Sequence, residues 1–221
     1  MDARGSHTRR LSARFVQRWR QFEPTANVIY RDVGSNPPSP VSGDWIRAAF
    51  TPEHARDASM RAVLAASDEL VAELIAADVI VAGVPMYNFG PPAQFKAYID
   101  NIVRVGKTFG FDRSRAGDPY WPLLAGHGKR LVILSSRGDY GYDAGERIAH
   151  LNHVETSVRT AFAYIGITQS WSVAAEYDEF GDHRLHASLT SAERGVDDLV
   201  HQLTAAQYDS IRTVAPEVNT T

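Results

Sequence analysis

Residues Val84–Phe109 read VPMYNFGPPAQFKAYIDNIVRVGKTF, and this stretch decides the fold. It continues the apolar run Val79-Ile80-Val81-Ala82-Gly83-Val84, which is short and uninterrupted like a strand buried on both faces of a parallel sheet. Pro85 and the aromatic turn Met86-Tyr87-Asn88-Phe89 come next, then the breakers Gly90-Pro91-Pro92. Phe95, Tyr98, Ile99, Ile102 and Val103 recur at i, i+3, i+4, i+7 and i+8, the spacing of one apolar helix face. Strand, polar-aromatic loop and helix form the unit with which open α/β sheets build ligand sites, in the crevice beyond the strand C-termini. The loop offers flat side chains for a planar ligand and an amide, Asn88, that both donates and accepts.

Upstream, Gly5-Ser6-His7-Thr8 precedes a helix with Leu11, Phe15, Trp19 and Phe22 on one face. Two hydroxyls and free N–H groups at a helix N-terminus make an anion site, with Arg9 or Arg10 close by; a plain N-cap is the competing reading. Val28–Val33 reads as a strand, the proline-rich 34–43 as a loop, and Trp45, Ile46 and Phe50 as a short helix or flap. A helix over 53–77 is expected to bury Val63, Leu64, Leu70, Val71, Leu74 and Ile75.

Downstream of Phe109 a Gly/Pro/aromatic excursion lets Thr108-Phe109 pair with Tyr120–Leu123 as a hairpin. The strand Leu131–Ser135 feeds the loop Ser136–Tyr142, followed by a helix over 146–164, a strand over 167–175, and a helix marked by Val196, Leu199, Val200 and Leu203. Residues 209–221 read as a loose tail. The loops 5–9, 85–90 and 136–142 are expected to converge at one sheet edge.

Composition narrows the function. The chain has no cysteine, which excludes disulfides, thiolate catalysis and thiolate-bound metal. A net charge of -3 gives no footing for nucleic acid or an anionic membrane. No apolar run approaches the ~20 residues of a membrane span, and no signal peptide is visible, so a cytoplasmic location is expected. Walker A, G-x-S-x-G and G-x-G-x-x-G motifs are all lacking, against NTPase, serine hydrolase and Rossmann dehydrogenase readings. His150/His153 and His183/His186 are i, i+3 pairs, but no carboxylate at matching spacing completes a metal site.

PMYNF, then P…KAYIDNIVRVGKTF and the later Ser136-Arg137-Gly138 closely resemble the FMN-dependent NADH–quinone oxidoreductases and azoreductases. The resemblance extends, more loosely, over nearly all of the chain. It implies an α/β, flavodoxin-like three-layer sandwich, one domain over 1–221, with a parallel sheet of order 2-1-3-4-5. The first strand, which normally feeds the phosphate loop, is missing from the N-terminus as given, so residues 1–10 are the loop's remnant. The chain 1–221 made alone is therefore expected to be poorly soluble, flavin-poor or inactive.

By the same resemblance, Ser6, His7 and Thr8 hold the FMN phosphate. Met86, Tyr87, Phe89 and Tyr140 sandwich the ring, while Asn88 and the backbone of Ser136, Arg137, Gly138 and Asp139 meet its polar edge. Gly138 allows close backbone approach. Where the family has a second glycine this chain has Asp139, a carboxylate that would oppose negative charge on the reduced flavin. NADH or NADPH is the implied donor and a quinone or aromatic azo compound the acceptor. Tyr142, His153 and Tyr164 are the candidates for proton donor or pocket wall. Arg104 and the 109–125 excursion suit a homodimer interface. The alternative is an N-terminally truncated, flavin-free paralogue acting as an interaction protein. A one-electron carrier is disfavoured, since such carriers are strongly acidic.

Overall fold

In a computed structural model, which describes residues 5–214 and side chains to Ala206, the run Leu131–Leu134 is wholly buried. Successive strand residues point to opposite faces, so the run serves two cores. Leu131 and Ile133 join one apolar cluster, and Val132 and Leu134 the other. The elements in chain order are α1 (His7–Phe22), α2 (Gly43–Phe50), α3 (Ala58–Ala76), β1 (Val79–Pro85), α4 (Ala93–Ile102), β2 (Phe109–Phe111), β3 (Tyr120–Pro122), β4 (Arg130–Ser136), α5 (Val154–Tyr164), β5 (Gln169–Ala175) and α6 (His183–Val214).

β1, β4 and β5 form a parallel sheet in the order β1-β4-β5. Leu70, Leu74, Phe95, Ile99, Val158 and Phe162 bring α3, α4 and α5 onto one face. Leu11, Phe15, Val196 and Val200 bring α1 and α6 onto the other. Helices on both faces of a parallel sheet give three layers, and each fully buried aliphatic contributes roughly 1.5–3 kcal/mol. β2 and β3 make the expected hairpin, Phe109 opposite Pro122.

Several elements differ from the sequence expectation. Val28–Val33 joins no strand, and Val33 already opens a turn, with Ile29 and Tyr30 exposed at 51% and 71%. An extended segment becomes a strand only by sharing a ladder, and none of the described residues supplies one. Ion pairs hold it instead, Arg31 to Glu69 and Glu73 and Asp32 to Arg9. The sheet therefore corresponds to the last three strands of the expected order, with one edge of β1 unpaired among the described residues.

α3 starts at Ala58, where the Asp57 carboxylate accepts from the Met60 N–H at 2.8 Å, and Val63 and Ile75 lie outside its buried stripe. α5 starts at Val154 rather than 146 because Ala149–Leu151 form only a single 3-10 turn, closed by Asn152 in extended backbone at φ -81° and ψ 95°. Arg104 is fully buried, held by Ser67 at 2.8 Å and stacked on Trp45, so it does not face a partner. α6 continues to Val214, through the start of the expected tail; residues 1–4 and 215–221 lie outside the described residues.

Gly83 sets how closely α1 approaches the sheet. A Cβ there would lie 2.7 Å from Ser12 Oγ and 3.3 Å from the Thr8 carbonyl. Gly83→Ala should push the first turn of α1 off β1 and destabilise the fold by about 1–3 kcal/mol. Urea denaturation measures the loss, and adding Ser12→Ala should recover part of it.

Candidate active site

In the parallel register Pro85 lies opposite Ser136, and Ser136 opposite Ala175. The chain therefore leaves all three strands along one line, into segments 86–90, 137–142 and 176–180. The Gly83–Thr8 approach brings the N-terminus of α1 to the same edge.

At α1, Ser6 is the N-cap: its hydroxyl accepts from the Arg9 N–H at 3.4 Å and lies 3.3 Å from Thr8 Oγ1. The N–H groups of His7 and Thr8 donate to nothing among the described residues, as expected of a first helical turn. His7 Nε2 is 3.0 Å from Asp178 Oδ1. Neither neighbouring arginine turns toward this turn as its charge partner, since Arg9 pairs with Asp32 and Arg10 with Glu193. The donors at this turn are amides and hydroxyls.

After β1 the chain folds back tightly. Tyr87 N–H donates to the Gly90 carbonyl at 2.9 Å and Gly90 N–H to that of Tyr87 at 3.1 Å. Asn88 and Phe89 between them hold φ at +47° and +72°, left-handed values that are costly for a bulky residue such as phenylalanine. This strained turn presents Tyr87 and Phe89 to solvent at 55% and 46% exposure. The Asn88 amide has no hydrogen-bond partner among the described residues. Met86 N–H donates to the Ser136 carbonyl at 2.8 Å, tying this turn to the loop after β4.

That loop is organised by buried charge. The Arg137 side chain, 2% exposed, turns inward to Glu155 (2.7 Å), Asp143 (2.9 Å) and Glu176 (3.0 Å). Burial pushes its guanidinium down, but Glu155 and Asp143 outweigh that and leave it raised. The Arg137 side chain therefore does not face a ligand, and its backbone N–H donates to the Ala175 carbonyl at 2.9 Å. The Glu176 carboxylate also accepts from the Gly141 and Tyr142 N–H groups, shaping the loop from beneath. The N–H groups of Gly138 and Asp139 have no acceptor among the described residues. The space a Cβ on Gly138 would fill is taken by Glu179, whose Oε1 lies 2.6 Å away. A side chain at this position would have to displace the exposed Glu179 carboxylate.

Segment 176–180 is a fourth wall that the motif reading missed. Asp178 and Glu179 N–H groups donate to the Arg137 and Gly138 carbonyls at 3.1 and 3.2 Å. Tyr177, at φ +67°, stacks on Tyr140 with ring centroids 4.8 Å apart. Its position after a strand of the same parallel sheet was the available signal.

The proton-donor candidates separate. Tyr142 is buried beside Arg137, and desolvation raises its phenol. His153 donates its backbone N–H to the Phe89 carbonyl at 2.9 Å, which puts it against the strained turn. It also lines an open groove of about 510 Å³ between α4 and α5, with Asp100, Val103 and Thr156. Tyr164 lines the same groove from the opposite end of α5, packed on Phe109 with centroids 5.2 Å apart. Among the described residues no group of His, Asp and Glu could hold a metal ion, and no helix is long and apolar enough to cross a membrane.

Free amides at a helix N-terminus, free amides on a neighbouring loop and exposed aromatics between them define a site of the flavodoxin-like class. The family model described as flavodoxin-like fold matches residues 1–198. The chain is 40% identical over 206 residues to the FMN-dependent NADH:quinone oxidoreductase 2 of Idiomarina loihiensis, covering 93% of this chain and 85% of that protein. It is 41% identical over 190 residues to the FMN-dependent NAD(P)H:quinone oxidoreductase 1 of Pseudomonas aeruginosa, covering 86% and 89%. An FMN-dependent NADH-azoreductase of Bacillus anthracis, solved in complex with FMN, shares the fold at TM-score 0.76 and 16% identity, covering 89% of this chain and 91% of that one. The chain belongs to the FMN-dependent NADH:quinone oxidoreductase family.

The residues present fit FMN. Unpaired N–H donors at His7 and Thr8 suit its phosphate, and those at Gly138 and Asp139, with the unpartnered Asn88 amide, suit acceptors on the edge of its ring.

Replacing Arg137 by Met leaves Glu155 and Glu176 without their shared cation, so Arg137→Met should lose about 3–5 kcal/mol in urea denaturation. The double variant Arg137→Met/Glu155→Leu should be more stable than the single one, because no charge is then stranded beside α5.

Proposed function

We propose that this protein is a flavin-dependent oxidoreductase that passes two electrons from NAD(P)H through FMN to quinones or aromatic azo compounds. The observation that carries the reading is the pairing of two sets of unbonded N–H donors, at His7/Thr8 and at Gly138/Asp139, across a strained aromatic turn. FMN supplies the hydride chemistry when bound, and the protein supplies position and electrostatics. Ser6 and Thr8 hold the phosphate end. Tyr87 and Phe89 exclude water from one side of the ring, and Asn88 orients its polar edge. His153, tied to Phe89 and facing the α4–α5 groove, is placed to give a proton to a reduced acceptor. The flavin-free alternative is the weaker reading, since the relatives at about 40% identity are FMN-dependent enzymes.

We extend the proposal to a cytoplasmic homodimer, with the α4–α5 groove as the face that meets a second copy. Light scattering coupled to gel filtration should give twice the chain mass, and a monomer across the accessible concentration range would refute this.

In protein made with its full N-terminus, added FMN should be quenched in fluorescence at one equivalent per chain. NADH should then bleach its visible band anaerobically, and a benzoquinone should restore it. Absence of quenching would overturn the flavin reading. Ser6→Ala/Thr8→Ala should weaken FMN far more than riboflavin, because each hydrogen bond to a charged group contributes about 1.5–3 kcal/mol. Asn88→Ala should slow flavin reduction or loosen FMN while leaving the thermal melt in place. If both rate and affinity stay within about twofold, ~0.4 kcal/mol, Asn88 is only a turn residue.

A further inference from the structure

The loop carrying the free Gly138 and Asp139 amides also carries carboxylates, and the structure answers them with cations unequally. Glu176 and Asp143 share the buried Arg137. Asp139 has a different partner: its Oδ2 lies 2.7 Å from Arg147 Nη2, and its Oδ1 accepts from the Tyr140 N–H at 2.8 Å.

The position of Arg147 is built by the loop itself. Ile148 N–H donates to the Gly141 carbonyl at 2.8 Å, closing the chain on itself. Gly141, at φ +83°, has Arg147 Cβ only 3.2 Å from where its own Cβ would be, so a side chain there would push Arg147 away. Nη2 donates in addition to the Tyr140 carbonyl at 3.0 Å, and the guanidinium lies 4.4 Å from the centre of the Tyr140 ring. The Arg147 hydrogen bond is the main reason the Asp139 carboxyl sits below its ordinary range, so Asp139 carries its full charge at neutral pH.

We infer that Arg147 is a positioning residue that neutralises Asp139 at the edge of the flavin site, so that this carboxylate does not oppose FMN when two added electrons make it more negative. The inference rests on the flavin reading above. A lone carboxylate beside the two free amides would cancel part of the favourable field they present to the ring's polar edge. With Arg147 hydrogen-bonded to it, the pair presents no net charge, and the amides act unopposed. Charge near the reactive ring is one of the means by which a protein tunes a cofactor's electronics.

The test compares affinities for oxidised and reduced FMN, and the midpoint potential of the bound flavin, measured separately, must close the same thermodynamic cycle. Arg147→Met should raise the reduced-to-oxidised Kd ratio at least tenfold, which for a two-electron couple is a midpoint about 30 mV lower. Arg147→Lys, which keeps the charge, should stay near the wild-type ratio. Asp139→Asn/Arg147→Met should return to it, because no carboxylate is left to oppose. An unchanged ratio in Arg147→Met overturns the inference. So does equal weakening of both forms, which would mean that Arg147 only orders the loop, and so does a double variant that stays low. Wild-type protein that takes up no FMN refutes the flavin reading instead, and this inference falls with it.

Discussion

β4 is paired on both edges and buried on both faces, and its parallel register makes a single site out of distant segments. Because β1, β4 and β5 run the same way and end opposite one another at Pro85, Ser136 and Ala175, every connection leaving them starts on one line. Parallel strands need long crossovers, and those crossovers are the helices that cover the sheet. The demand for coverage and the demand for a site are met by the same connections. Gly83 adds α1 to the arrangement by letting its first turn rest on β1.

Alignment of strand ends does not by itself shape the loops. Two different devices do so. After β1, the reciprocal Tyr87/Gly90 hydrogen bonds hold Asn88 and Phe89 in left-handed backbone, exposing aromatic surface that burial would otherwise claim. After β4, one cation among carboxylates sets the geometry: Arg137 fixes Glu155, Asp143 and Glu176, and Glu176 in turn holds the Gly141 and Tyr142 amides. The Gly138 and Asp139 amides stay unbonded beside this network. Removing a single partner from such a network strands a buried charge, so the loop is fixed far more firmly than its exposure implies.

Much of this was legible from residues alone. The apolar run before Pro85, the helix period from Phe95 to Val103 and the Ser136-Arg137-Gly138 loop placed the sheet and the site edge. The helix over 53–77 is shorter at its N-terminal end, where Glu53–Ala55 form only a 3-10 turn and the Asp57 cap starts the helix at Ala58. The helix expected from 146 starts later for a related reason, since a 3-10 turn at Ala149–Leu151 and extended backbone at Asn152 intervene, which the apolar pattern does not register. Val28–Val33 has strand composition, yet strand status belongs to a pair of segments and not to one.

Periodicity, breakers and residue chemistry act over a few neighbours, so the sequence by itself determined most element types and the order of the three loops, while the three-layer class came with the family resemblance. Partner choice is a long-range matter, and only the tertiary structure decided it. It turned Arg137 inward and Arg104 into the core, and drew Arg9 and Arg10 to Asp32 and Glu193. It left Tyr164 at the far end of α5, brought segment 176–180 against Gly138 and set Arg147 on Asp139. A charged side chain is settled by whichever opposite charge the fold delivers within hydrogen-bond reach, and in this chain those partners lie from a few residues to nearly the whole chain away.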